Sequence, residues 1–312
     1  MAGWHRPLLV CSAAMAALAL VSLAGVVLDE RTVLGAPLWL KPFKFAVSNA
    51  LYGLTWAWLA SLLGSGAHRW ANAAAAIMVL DFVIILVQAL RGRPSHFNLA
   101  TPLDTALYVV MGVAVVVLWV GTAVLTLRVL RLPIADAGQR WALRLGTGIS
   151  LLGLALGGLM TVPRASQPLP GPVAGAHSVG VPDGGPGLPL TGWSTTGGDL
   201  RVPHFVGMHA LQALPLFLLL LTALQVPALL RARLVVVAGT GYLSLVALVT
   251  WQALRGQPLL RPDALTLAAL GVLLLGVLAG AVRAAATSRP GPRPAASSRP
   301  APASPAPPAR TR

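Results

Sequence analysis

Apolar residues run along this chain in long unbroken stretches, separated by short polar or Gly/Pro-bearing segments. Each stretch is close to the ~20 residues that an α-helix needs to cross a hydrocarbon core, and the alternation of a membrane β-barrel strand is absent. Eight such stretches predict helices over residues 8–28, 43–63, 71–90, 103–127, 141–162, 205–229, 234–254 and 264–285. The first exceeds the roughly 7–15 apolar residues of a signal-peptide core, so it predicts a retained helix. Two polar segments are long. Residues 163–204 form a Gly/Pro-rich loop, and 286–312 form a Pro/Ala/Arg/Ser tail with too little apolar surface to fold. The expected fold class is an all-α membrane protein with eight transmembrane helices.

The helix ends repeat. QALRGRP (88–94) and QALRGQP (252–258) close the third and seventh stretches. Upstream, Lys41-x-x-Lys44-Phe45 aligns with Arg201-x-x-His204-Phe205, and Asn49-Ala50-Leu51 with His209-Ala210-Leu211. Downstream, Asp104 and Gly112 align with Asp263 and Gly271, and the matches keep their order. Arg-Gly-x-Pro alone would be a generic helix stop, but a stop does not require the preceding Gln-Ala-Leu. The pattern predicts two parallel four-helix repeats, 1–130 and 131–285. A site is expected between them, as in other membrane proteins built from parallel repeats.

Composition agrees with a bilayer setting. Charged residues make up 10% of the 312 residues, against about 25% in soluble domains. The net charge of +15 resides mostly in arginines at helix ends and in the tail, so the expected acidic partner is an anionic lipid leaflet rather than nucleic acid. With eight spans, the side bearing both termini collects 14 cations and the other nine, the tail supplying the excess. The positive-inside rule then places both termini in the cytoplasm of a bacterial plasma-membrane protein. The single cysteine, Cys11, excludes an intrachain disulfide and a Cys-based metal cluster.

Only two of the 23 cations are lysines, and they stand three apart as Lys41 and Lys44. Two compact ammonium groups kept together in an arginine-rich chain point to a charge-binding task. The predicted outer end also gathers Gln88, Arg91, His96, Asp104, Arg201, His204, His209, Gln212, Gln252, Arg255 and Asp263. Such groups are costly beside lipid unless they are paired or meet water. Lys41, Lys44, Arg91, Arg201, Arg255, Gln88, Gln252 and Gln212 are the candidate substrate-binding residues. His204 and His209 are the candidate acid–base groups, with Asp104 and Asp263 to orient them. Asp81, mid-helix in IMVLDFVIILVQAL, is a candidate proton-coupling carboxylate. His204 and His209 lie about 140° apart on a helix, so a metal held by His96, His204 and His209 would need help from loops, where His177 also lies. The residues leave the cofactor open, a metal or haem included, and no phosphate loop, nucleophile elbow or HExxH helix is present.

The stretches KPFKFAVS, RGRPSHFN, GGPGLPLTGWSTTGGDLRVPHF and MHALQALPL resemble an uncharacterised family of multipass membrane proteins common in high-GC bacteria, to which no activity is assigned. Eight spans in two four-helix halves are also similar to haem A synthase. That family's haem-ligating histidines lie within spans of both halves, whereas spans 2, 4 and 8 here have none, so the likeness implies architecture alone. Three functions fit the residues: an enzyme or redox protein acting on an anionic or amphipathic substrate, a proton-coupled anion transporter using Asp81, or a non-catalytic scaffold.

Overall fold

A computed structural model describes residues 3–162 and 173–288. Among these, nine helices follow in order: α1 (Arg6–Leu28), α2 (Leu40–Leu63), α3 (His68–Leu90), α4 (Pro102–Arg131), α5 (Ala137–Leu156), α6 (Arg201–Met208), α7 (Ala210–Ala223), α8 (Ala228–Leu254) and α9 (Ala264–Thr287). Two short hairpins complete the inventory, β1 (Thr32–Val33) with β2 (Ala36–Pro37) and β3 (Ser178–Val179) with β4 (Gly198–Asp199). The first ten residues of the predicted 163–204 loop, and nearly all of the 286–312 tail, lie outside the described residues.

Six helices are long and apolar enough to cross a membrane: α1, α3 with its leading turn, α4, α5 with its trailing turn, α8 and α9. Counting α6 and α7 as one bent span makes seven. The eighth expected span, α2, is 24 residues long but carries Lys41, Lys44, Asn49 and two tryptophans. It is the most enclosed helix of its neighbourhood, with Trp56, Ala57 and Leu59 essentially inaccessible. A helix wrapped by other helices meets protein rather than lipid, so it need not be uniformly apolar. By contrast α9 buries little beyond Thr266 and Ala284.

Caps in the sequence set the helix starts. Thr101 accepts the Asp104 N–H, Asp136 the Gln139 N–H and Asp263 the Thr266 N–H, each satisfying a first-turn donor. The expected single span 205–229 is interrupted: α6 and α7 meet at His209 with a 43° bend. Pro203, Gly207 and Pro215 surround the break and weaken a continuous helix there. The freed carbonyls do not go unsatisfied. Tyr242 Oη donates to Val206 O at 2.6 Å and Ser150 Oγ to Met208 O at 2.8 Å. Broken helices are tolerated at membrane depth when protein groups re-satisfy the backbone in this way.

Helices α1–α4 pack as one bundle, and α5–α9 as a second in which α5 lies against α6, α7 and α8. The bundles join where α4 packs on α5, and through Gln212 Nε2, which donates to Thr55 Oγ1 at 3.0 Å. One end of the molecule carries the His5–His68 ring contact and the Asp136–Arg231 ion pair. The other carries Lys41, Arg91 and Arg255, and over it lies the loop 173–200.

Candidate functional site

The QALRG ends of α3 and α8 fold alike. In each, the glycine after the arginine takes a positive φ, +66° at Gly92 and +75° at Gly256, which closes the helix. The N–H of Arg93 returns to Gln88 O, and that of Gln257 to Gln252 O. Gln88 Nε2 reaches Pro94 O at 3.4 Å, and Gln252 Nε2 reaches Pro258 O at 2.8 Å. The arginines then grip the next helix: Arg91 Nη1 lies 2.9 Å from Asp104 Oδ1, and Arg255 Nη2 lies 2.6 Å from Asp263 Oδ2.

These contacts revise the Asp104–Asp263 alignment. Asp263 is the cap of α9, the place that Thr101 holds in α4, and Asp104 corresponds in position to Thr266. Counted from these caps, Gly112 and Gly271 fall at different positions along their helices. One start thus has a hydroxyl as cap and an acid three residues on, and the other has the reverse.

Gln88, Arg91, Thr101 and Asp104 saturate one another, and Asp104 is fully buried. Arg255, Asp263, Thr266 and Gln257 form the second set, while Gln252 Nε2 goes to the Pro258 and Leu259 carbonyls, and Trp251 lies 4.4 Å beneath the Arg255 guanidinium. Both sets work as clamps between consecutive helices rather than as groups held open for a ligand.

The remaining cations converge elsewhere. Lys44 Nζ donates to Thr191 O at 2.8 Å and Arg201 Nη2 to the adjacent Gly192 O at 2.6 Å, so the starts of α2 and α6 meet under one turn of the loop. Arg201 is also bidentate on buried Asp199. One turn before Lys44, Lys41 lies 5.9 Å from the Phe45 ring centroid and has no ion-pair partner within 4.0 Å among the described residues.

Beyond Phe45 the side chains continue as an array. The ring of His96 is 5.5 Å from Phe45, Phe97 is 6.1 Å from His96, and His177 is 5.1 Å from Phe97. Phe97 takes a left-handed φ of +59°, rare for a bulky residue and most often retained where the surroundings impose it. Here the Phe97 carbonyl is tied to the Ala174 N–H, which turns the ring between the two histidines. His177 Nδ1 stands 2.9 Å from Asp183 Oδ2, and Asp183 also accepts the N–H groups of His177 and Ser178.

Burial lowers the pKa of both His96 and His177. For His96 the nearby positive charge of Lys41 adds to the effect, and for His177 the Asp183 hydrogen bond opposes it. Burial acts to raise the Asp183 carboxyl, but His177 and the two backbone N–H groups outweigh it and hold it well below the usual range. The pair is therefore neutral imidazole against carboxylate, with Nδ1–H donating and Nε2 left as the basic nitrogen.

The other candidates lie apart. His204 Nδ1 donates to Gly153 O at 2.8 Å, while His209 stacks on Phe205 at 4.4 Å and contacts Gln212 at 3.3 Å. Among the described residues no three His, Cys, Asp or Glu side chains are placed to hold a metal, so His96, His204 and His209 do not form the expected set. Asp81 Oδ1 is buried in α3 without a hydrogen-bond partner among the described residues. Sequence reasoning missed Asp183 and the role of Phe97. The Pro-Asp-Gly-Gly run around Asp183 signals a turn, but not which imidazole the turn serves.

No protein-family model, curated protein or solved structure matches the chain.

Proposed function

We propose that this chain is an integral protein of the bacterial plasma membrane. It has eight spans in two parallel four-helix halves, both termini in the cytoplasm, and arginine-rich inner ends and tail against the anionic leaflet. The matching helix closures at Gly92 and Gly256, and the equivalent grips of Arg91 and Arg255, support the duplication. The resemblance to the multipass family of high-GC bacteria is part of the same reading.

Its outward end binds an anionic or amphipathic substrate at Lys41 and Lys44. The observation that carries this is Lys41 itself, an ammonium with no acid within 4.0 Å among the described residues, one turn from Lys44, near Arg201 and facing Asp183 only at longer range. Both lysines stand in the first turns of α2, where the helix dipole already opposes positive charge and no acid is present. Like charges gathered at a positive helix end are offset when an anion joins them. Chemistry on that anion, by an enzyme or redox protein, is favoured by the two histidines beside the site.

The test is calorimetric titration of the purified full-length protein with inorganic phosphate. Saturable binding that disappears in Lys41→Gln/Lys44→Gln is expected, and heat unchanged by that pair of substitutions sinks the reading.

A second reading, proton-coupled anion transport, draws on the unpartnered Oδ1 of Asp81. A buried polar atom without a hydrogen bond is costly and is retained more readily for proton exchange than for packing. Loss of anion uptake into proteoliposomes in Asp81→Asn would favour transport over chemistry at the surface.

A further inference from the structure

The His177–Asp183 pair has the build of a proton-transfer device, and it points to a use of the anion site. Asp183 accepts the His177 Nδ1–H and the backbone N–H groups of His177 and Ser178, which fixes the imidazole tautomer and its direction. A carboxylate that holds Nδ1–H leaves Nε2 as the working base, the logic of every aspartate-oriented catalytic histidine. The strained Phe97 packs against the same ring, so the imidazole is held from two sides. Ring contacts join His177 to Phe97, Phe97 to His96 and His96 to Phe45, whose ring centroid lies 5.9 Å from the Lys41 ammonium, and the Lys41 charge reaches His177 itself. The charged and titratable groups facing His177 are Asp183, Arg201, Lys41 and His96.

We propose that His177, aimed by Asp183, exchanges a proton with a phosphate monoester or inorganic phosphate held at Lys41 and Lys44. This rests on the anion-binding reading above. Lysines act as point charges for phosphate, whereas a planar carboxylate is better matched by an arginine fork, and the one arginine here is already committed to Asp199. The second pKa of a phosphate monoester is about 6, close to the ~6.5 of imidazole, so a proton passes between them at little cost. No bond other than the N–H and O–H bonds forms or breaks in this step. The proton leaves the phosphate oxygen for Nε2, or returns by the same path.

The experiment follows the His177 ring signal by nuclear magnetic resonance in the full-length, histidine-labelled protein, held in phosphatidylcholine nanodiscs and assigned with His177→Gln. Inorganic phosphate is expected to move the signal and raise its protonation midpoint by about one pH unit, because a bound anion favours imidazolium. Lys41→Gln is expected to remove both effects. Asp183→Asn, which keeps one acceptor for the loop N–H groups, is expected to lower the midpoint in the absence of phosphate. Nanodiscs containing phosphatidic acid distinguish the sources. The shift arises without added phosphate if a lipid headgroup is the ligand, and only with inorganic phosphate if the free ion is; either result supports the proposal. Calorimetric binding that Lys41→Gln abolishes, with His177 unmoved, overturns the proton transfer and leaves the anion site standing. Absence of binding by both probes overturns the two together.

Discussion

Asp104 and Thr266 hold the same place in two helices, each three residues past the cap and each touching the arginine that closes the preceding helix. In α4 a hydroxyl caps and an acid grips; in α9 an acid caps and a hydroxyl assists. Either order supplies one cap and one counter-charge, so the exchange preserves the clamp. The settings differ, because the Asp104 side chain is 0% exposed and that of Asp263 is 40% exposed. Removing an enclosed acid leaves Gln88 and Arg91 without their partner, whereas water compensates at Asp263. Asp104→Ala should therefore lower the unfolding temperature in detergent well beyond Asp263→Ala. In addition, Thr101→Asp should recover part of the loss caused by Asp104→Thr.

Helices α5 and α6 approach most closely at Gly153 and Gly207. A methyl group on Gly153 would meet the Gly207 and Met208 backbone directly. Small residues at such crossings let membrane helices pack backbone to backbone. Gly153→Ala is expected to cost about 1–3 kcal/mol, the usual penalty of overpacking, and to break the His204 contact with Gly153 O. Denaturation curves and the environment of the His204 ring would report the two effects separately.

The loop should loosen in acid. His177 and His96 have folded pKa values below their ordinary ~6.5, so the unfolded chain binds more protons than the folded one as pH falls below that value. Asp183 is depressed as well, and its contribution is lost at still lower pH, below about 4. All three shifts carry the same sign. Proteolysis or hydrogen exchange within 173–200 is expected to accelerate from pH 7.5 to pH 5, and His177→Gln to flatten that dependence; a loop equally protected at both pH values contradicts this account.

Asp81 lies seven residues before Gln88, as Leu245 does before Gln252. Its Oδ1 gains no hydrogen bond, so its burial opposes folding. Asp81→Leu is expected to stabilise the detergent-solubilised protein by about 1–3 kcal/mol while impairing function. A destabilised variant would instead mark Asp81 as a packing group.

Much of the helical frame was legible because apolar runs and their polar punctuation are local properties. Arg6–Leu28 and Ala264–Thr287 each begin and end within two residues of the predicted stretch. The break at His209 was not legible, since its stability depends on hydroxyls from α5 and α8 that no local pattern announces. The recurring polar motif was visible, but its register was not. Matching Asp104 to Asp263 by residue type ignored that a cap and an acid three residues past it, in the same first turn, can trade roles. Lys41 and Lys44 could be found by composition alone. Asp183 could not, because its partner is fixed by how a Gly-rich loop folds back over the bundle.

In a bilayer, hydrocarbon offers nothing to a carbonyl that has lost its helical partner. Tyr242 and Ser150 reach the elbow at His209 from two neighbouring helices, and losing either hydroxyl would leave a carbonyl oxygen at the elbow without that partner. The elbow is thus a fixture of the scaffold, not a hinge. Beneath the overlying loop, the kinked span stays in place like a door frame.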